Sequence, residues 1–532
     1  MQSKRPNILW VSFEDTNPYY GCYGDPVART PNLDRLAADG ARFTHAFATA
    51  GVCAPARSAV ITGMYPISIG THHMRTCHVN PATPELPTPY SAVVPHYVKC
   101  FTEYLRAAGY YCTNNEKTDY QFDPPLTAWD ELGKQAHWRN RPDPDQPFFA
   151  VFNPGNTHES GQWPSNTPEV TFDPDTIPLP PYFPDTPKVR TAMARMYTQI
   201  ERSDTFLGEL LRQLEEDGLA DNTIIMHWSD HGPLPRGKRW PYDSGIHVPL
   251  IIRGAPDLPV GTVSDRLVST MDLGPTVLSL CGLPVPAHMQ GRAFLGEQQT
   301  APRQYVFASR DRYDESYDKM RAARNRRFKY IRNDQPELPY MIWNPYYNRH
   351  PIAQELWRFF LEDKLEGSQK LLFEPRPVEE LYDTENDPFE IHNLAGDARF
   401  ASELEELRRA TCDWTREVGD MGLISESQMV HSWYPNGIQP ETAPVSVILH
   451  ELAESGIKPV SGGTFQAPLA IHLHCPTQGA SIAWTFEEGD KPRWQLYSQP
   501  MRLAPGSYRL RTCAIRIGYK QSREQVCELV VR

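Results

Sequence analysis

The chain has 532 residues, 40% of them hydrophobic, with 53 Lys and Arg against 65 Asp and Glu for a formal net charge of −12. That length provides core for two or more domains. The negative balance argues against a nucleic-acid partner, which needs clustered basic residues, but leaves a small anionic substrate open. Ten cysteines fall in no regular framework, so a disulfide scaffold is not expected. No apolar stretch suits a signal segment or a membrane span, and the chain, starting Met1-Gln2-Ser3-Lys4-Arg5-Pro6, reads as cytoplasmic.

Asn7 to Phe13 (NILWVSF) is a continuous apolar run, the pattern of a buried parallel strand. Glu14 and Asp15 follow it. Ligands collect at the carboxyl ends of strands in open α/β sheets, so this acidic pair suggests a hard-cation site; a solvated loop start is the plainer alternative. Thr30 to Ala37 predicts a helix with Leu33, Leu36 and Ala37 on one face. Cys53-Ala54-Pro55-Ala56-Arg57-Ser58, running on to Thr62-Gly63, predicts a short helix with proline at its first helical position and glycine past its end. Cys53 then stands at a helix N-terminus, where a thiol is acidic and reactive, against the alternative of a buried structural cysteine. Beyond it, His72, His73 and Arg75 are candidates to touch a leaving group or to pack in a loop.

Phe148 to Phe152 (FFAVF) predicts another buried strand, and His158 in the loop after it is a candidate general acid. Val189 to Leu214 is amphipathic and reads as a core helix. It leads to the strand Thr223 to Trp228, closed by Ser229-Asp230-His231-Gly232. From Pro459 onward short alternating runs (Leu469–Leu473, Ala483–Phe486, Tyr508–Arg511, Glu528–Val531) separated by Gly and Pro predict a small β-sandwich.

Cys-x-Pro-x-Arg-Ser with its downstream Thr-Gly resembles the signature of the type I sulfatases of the alkaline-phosphatase-like superfamily. TPNLDRLA at 30–37, Asp230-His231-Gly232, Gly237-Lys238 with Val248-Pro249-Leu250, and Glu380-Leu381-Tyr382-Asp383 through Asn393-Leu394 follow in the family's order. The resemblance implies an α/β fold with a central mixed, mostly parallel sheet and a small C-terminal sheet. It places a catalytic domain over 1–365 and a subdomain over 366–435, and leaves 436–532 as an accessory β-sandwich similar to the chitobiase C-terminal domain. It implies that Cys53 is oxidised by a formylglycine-generating enzyme to formylglycine, whose hydrate is the nucleophile. Arg57 positions that group, Lys117 and Lys238 bind the sulfate, and His158 protonates the leaving oxygen. Glu14, Asp15, Asp230 and His231 bind a divalent metal, calcium by family habit, although an imidazole at His231 suits manganese or zinc better; magnesium is a further option.

The sequence departs from the family in three places: Glu14 stands for an aspartate, Asp119 for a histidine, and His247 for an arginine at the substrate. Ile177 to Pro187 resembles the sulfamidase (heparan N-sulfatase) branch. The implied function is hydrolysis of a sulfate ester or sulfamate on a sulfated carbohydrate, by a protein that could form homo-oligomers. A phosphonate monoester or phosphodiester hydrolase is the rival enzyme, and an inactive binding module the rival outside catalysis. The stretch Asp334 to Gly367, rich in Trp, Tyr, Pro and Arg, is expected near the substrate pocket.

Overall fold

The computed structural model describes residues 5–79, 81–342, 344–451 and 458–532. The start of the chain before Arg5, and Trp343 in the aromatic stretch, lie outside the described residues. The chain divides into two compact units, one of Met1–Arg75, Asn80–Pro84 and Val151–Leu423, the other of Thr76–Val79, Glu85–Ala150 and Ile424–Arg532.

The first unit is built on a mixed sheet. Strand Asn7–Phe13 lies parallel to Thr223–Ser229, with Phe13 opposite Ser229. Every residue of both is buried, as their unbroken apolar runs require of strands covered on two faces. Thr223–Ser229 pairs antiparallel with His247–Arg253, which pairs antiparallel with Ala41–Phe47. Thr262–Ser264 and Val268–Ser269 add parallel to Ala41–Phe47. Helix Pro187–Glu216 buries Val189, Met193, Ile200, Leu207, Leu211 and Leu214 on one face. Thr186 caps its N-terminus, accepting from the Val189 N–H, and Pro187 occupies the first turn, so the helix opens two residues before the apolar pattern does. Within Leu267 to Cys281 only Leu273–Leu280 is an α-helix. Val268 and Ser269 are taken by strand pairing, and Ser269 and Asp272 form a capping box around a 3-10 turn.

A second, antiparallel sheet follows in the order Val306–Arg310, Met320–Arg324, Phe328–Asn333, Glu379–Asp383. Ala323, Tyr330 and Leu381 from this sheet pack with Leu407 of helix Ala401–Val418. The Glu380-Leu381-Tyr382-Asp383 motif is therefore the last strand of the small sheet.

In the second unit, Tyr111–Asn115 pairs parallel with Glu131–Leu132. The tail forms two sheets, of four and five strands, around one core that includes Val447, Leu449, Leu469, Ile471, Leu510 and Leu529. In Leu469–His474 the residues alternate buried and less buried, the period-two signature from which a half-buried strand is read. Lys99 Nζ ties this sandwich to residues 85–150 by donating to the Gly479 carbonyl at 2.6 Å and to Ser481 Oγ at 2.7 Å. Arg106 Nη2 donates to the Trp494 carbonyl at 2.6 Å. Among the described residues no helix is long and apolar enough to cross a membrane, and all ten cysteines are free thiols.

Candidate active site

The parallel register that sets Phe13 beside Ser229 also pairs the residues just past the two strands. Asp15 and Asp230 leave the sheet side by side at its carboxyl edge. The Asp15 N–H donates to Asp230 Oδ1 at 3.1 Å, and the Thr16 N–H donates to Ser229 Oγ at 3.1 Å. Both carboxylates are fully buried. Asp15 holds a positive φ of 47°, a conformation a side-chain-bearing residue adopts only where its surroundings impose it.

Cys53 begins helix Cys53–Thr62, which ends at Gly63 with a left-handed φ of 67°. Pro55 is the third helical residue rather than the first, still within the turn whose N–H groups need no intrahelical partner. Gly51 lets the preceding loop press against Trp240, because a Cβ there would meet the Trp240 carbonyl oxygen at 2.5 Å. Cys53 Sγ lies 3.2 Å from His231 Nε2 and 4.0 Å from Asp15 Oδ1. One turn on, Arg57 Nε donates to Asp230 Oδ2 at 2.9 Å and Nη1 to Asn153 Oδ1 at 3.0 Å, as the i, i+4 spacing allows.

Opposite the helix, Lys238 Nζ donates to Asp15 Oδ2 at 2.6 Å and stands 3.5 Å from Glu159 Oε1. The Glu159 N–H donates to the same Asp15 oxygen at 2.7 Å. Burial alone would raise the Asp15 carboxyl, but the charges of Lys238, His231 and His158 hold it below its usual range. Burial likewise opposes charge on His231, yet Asp230, Asp15 and Cys53 lift it to about 9. On His158, burial and Lys238 press the pKa down, and Asp15, Cys53 and Glu14 outweigh them, so it is raised. Its Nδ1 sits 2.8 Å from Ser160 Oγ.

One ligand atom each from Asp15, Cys53, Asp230 and His231 falls within 4.8 Å of the others, all four residues buried; Glu14, Cys53 and His158 form a second such group. Two converging buried carboxylates that already draw an imidazole toward its cationic form suit a divalent cation. The donor set thus fits a divalent metal ion.

The other sequence candidates occupy distinct places. His72 and His73 are buried with ring centroids 4.2 Å apart. Burial, then His72, Arg312 and Arg321, hold His73 well below the usual imidazole range. Met74, the next residue, packs with Val52, Cys53 and Tyr313. Arg75 Nε pairs with Asp314 Oδ1 at 2.6 Å and its guanidinium lies 3.7 Å from the centroid of Tyr346. His247 stacks on Phe47 and turns Nε2 to the Thr44 carbonyl at 2.9 Å, a packed berth in the sheet. Lys117 belongs to the second unit, where its ammonium lies 3.6 Å from Asp119 Oδ2.

Four participants escape a reading by motif. Asn153 holds Arg57, and Glu159 joins Lys238 to Arg239, whose guanidinium meets both Glu159 oxygens at 3.2 Å and Asp314 Oδ2 at 3.2 Å. Glu159 and Arg239 each adjoin a residue the sequence singles out. Asp314 closes the run Arg310-Asp311-Arg312-Tyr313-Asp314, whose alternating charge is the available signal. The aromatic stretch contributes Tyr347, 4.8 Å from the Arg239 guanidinium, and His350, whose Nε2 is 2.9 Å from Gln162 Oε1.

A family model described as Sulfatase matches residues 6–132 and 112–283, and one described as N-sulphoglucosamine sulphohydrolase, C-terminal, matches residues 231–342. An ulvan-active sulfatase of Formosa agariphila is 41% identical over 562 aligned positions, covering 98% of this chain and 91% of the relative. The human N-sulphoglucosamine sulphohydrolase is 29% identical, with 78% of this chain and 90% of that protein covered. A protein solved in complex with its substrate D-glucosamine-2-N,6-O-disulfate superposes with a TM-score of 0.56 at 19% identity, over 78% of this chain and 99% of the other; that likeness speaks for the fold.

Proposed function

The chain belongs to the sulfatase family, and from that premise we propose that it hydrolyses sulfate groups from a sulfated carbohydrate at Cys53. The observation that carries the reading is the placement of Cys53 Sγ, 3.2 Å from His231 Nε2 and one turn before Arg57, at the mouth of a buried helix. The names of the relatives, an ulvan-active sulfatase and a sulphoglucosamine sulphohydrolase, support a sulfated sugar as the substrate class.

Formylglycine at Cys53, installed by a formylglycine-generating enzyme, would supply the nucleophile, and a divalent cation held by Asp15, Asp230 and His231, with Glu14 beside them, would supply Lewis acidity. Calcium is the ion we favour, because carboxylate oxygens dominate the set. This chain's own groups do the rest. Lys238 and Arg57 are fixed cations, dry at 2% and 4% exposure, and so act strongly on sulfuryl oxygens in a low dielectric. Arg239 and Asp314 lock Glu159, which in turn holds Asp15 through its N–H. His158, with its proton retained by the surrounding carboxylates, is placed to protonate a leaving oxygen. We assign Arg75, which pairs with Asp314, to the substrate's edge. We assign His72 and His73 to support of the Cys53 loop, and His247 to the sheet.

The test is a side-by-side assay of metal-loaded, formylglycine-bearing protein on sulfate-ester, sulfamate and phosphonate-ester sugars and aryl compounds. Turnover of sulfate esters or sulfamates ahead of phosphonates is expected. Preference for phosphonates would replace the reading with that of a phosphonate monoester hydrolase.

A further inference from the structure

Beside the catalytic centre, in the first unit, is an open groove of about 630 Å³ lined by Trp163, Lys188, Thr191, Arg195, Arg349 and Gln354 among others, with no acidic residue in its wall. Three cations concentrated without a carboxylate is unusual in a chain of net charge −12. Lys188 Nζ is bonded to the neutral Gln354 Oε1 at 2.9 Å. Arg195, 9% exposed, donates Nε to the Thr167 carbonyl at 2.8 Å. The Arg349 guanidinium lies over the Trp163 ring at 4.1 Å. None of these three has a carboxylate partner among the described residues.

The backbone adds to this field. Pro187, Lys188 and Thr191 belong to the first turns of helix Pro187–Glu216, and Pro351 and Gln354 to the first turn of helix Pro351–Leu361. Two helix N-termini therefore face one cavity, each with the positive end of its macrodipole. Trp163, 8% exposed, backs the wall beneath the Arg349 guanidinium and holds that cation in place. An open groove whose cations face no carboxylate, with two helix N-termini at its wall, matches the negative substituents of an anionic sugar ring.

The groove is joined to the centre by short links. Trp163 follows the 3-10 turn Glu159–Gln162, whose first residue donates its N–H to Asp15; at about 2 Å per residue the separation is on the order of 8 Å. Tyr346 packs edge-on to Trp163, ring centroids 5.4 Å apart, and lies under Arg75.

The geometry points to this groove as a subsite for a neighbouring anionic sugar residue of the same polysaccharide chain whose sulfated residue enters at Cys53. The inference rests on the sulfated-carbohydrate reading of the centre and adds that the enzyme grips an oligomer, not a lone sugar. Sulfate and uronate carboxylate share the chemistry required.

Calorimetric titration of the full chain tests it, with a sulfated monosaccharide and with tetrasaccharides whose neighbouring residue carries sulfate, a uronate carboxylate or no charge. Charged tetrasaccharides should bind at least about tenfold more tightly than the monosaccharide. Replacing the exposed Lys188 and Arg349 together (K188A/R349A) should erase that gain, the scale of two solvent-exposed ion pairs, while monosaccharide affinity and turnover of a small aryl sulfate stay unchanged. The sulfate and uronate arms show which anion is read. The subsite is refuted if length brings no gain, if the uncharged tetrasaccharide binds equally well, or if the double variant keeps the gain. If the monosaccharide fails to bind while a charged tetrasaccharide binds through Lys188 and Arg349, the subsite stands and the reading of the Cys53 centre is what fails.

Discussion

Replacing Arg57 by methionine (R57M) keeps an unbranched stem and removes the guanidinium and its charge. In the structure Asp230 Oδ1 accepts the N–H groups of Asp15 and His231 at 3.1 and 3.0 Å, and Oδ2 accepts Arg57 Nε at 2.9 Å. With the pair exposed only 4% and 0%, water cannot replace the guanidinium, and a buried ion pair broken from one side costs roughly 3–5 kcal/mol. Spread over a unit of this size, that lowers the melting transition by roughly 4–7 °C. A second consequence has the opposite sign. Arg57 is a cation close to the carboxylates proposed to bind metal, so its removal relieves repulsion and should enlarge the upward shift in melting temperature that calcium produces. Scanning calorimetry of wild type and R57M, each chelated and then calcium-loaded, reads both effects. Activity should fall by roughly 10²–10³-fold, as when a preorganised electrostatic group is lost. A chelated variant that melts within about 1 °C of wild type, or gains no more than wild type from calcium, would refute the reasoning.

Other positions give outcomes of their own. Glu380, fully buried, accepts from the hydroxyls of Tyr340, Tyr382 and Tyr242 at 2.7, 2.5 and 2.7 Å and from Asn333 Nδ2 at 2.6 Å. An amide in its place turns one acceptor into a donor, so E380Q should cost about 2–5 kcal/mol, read as a lower urea midpoint and a weakened anchor for the loop from Lys238 to Tyr242. His350 and His227 are buried and, chiefly for that reason, their pKa values are pushed down to about 4 and about 3. Unfolded imidazoles bind protons below about pH 6.5, and these folded ones do not until far lower. Stability should therefore fall as pH drops from about 6.5 toward 4, by about 1.4 kcal/mol per pH unit for each group; urea midpoints that stay flat from about pH 7 to 5 would contradict it. Cys53→Ser, an isosteric change at a buried position, should leave the melting temperature within a few degrees of wild type while abolishing turnover.

Much of the fold is legible because its strands are apolar without interruption. NILWVSF and FFAVF carry in the sequence the bounds that the structure gives them, and Gly63 marks the end of the Cys53 helix. Helix Leu273–Leu280 begins only after Val268 and Ser269 have paired with a strand more than two hundred residues earlier in the chain, a contact no local pattern shows. In the site, the residues that carry a motif, Asp15, Cys53, Arg57, His158, Asp230, His231 and Lys238, do converge. Those that hold them, Asn153, Glu159, Arg239 and Asp314, are invisible to a motif because their partners are set by tertiary contact rather than spacing. The groove of Lys188, Arg195 and Arg349 is hidden for the same reason: its cations come from segments that only the fold brings together.

The central claim is that Cys53 is the precursor of the nucleophile. Its most direct test is the mass of the tryptic peptide Phe43–Arg57 from protein made together with an active formylglycine-generating enzyme. The account predicts a peptide in which Cys53 has lost its sulfur and carries an aldehyde oxygen instead, reactive toward a hydrazide probe. A peptide that retains its thiol, while a control substrate of the same modifying enzyme is converted, would contradict it.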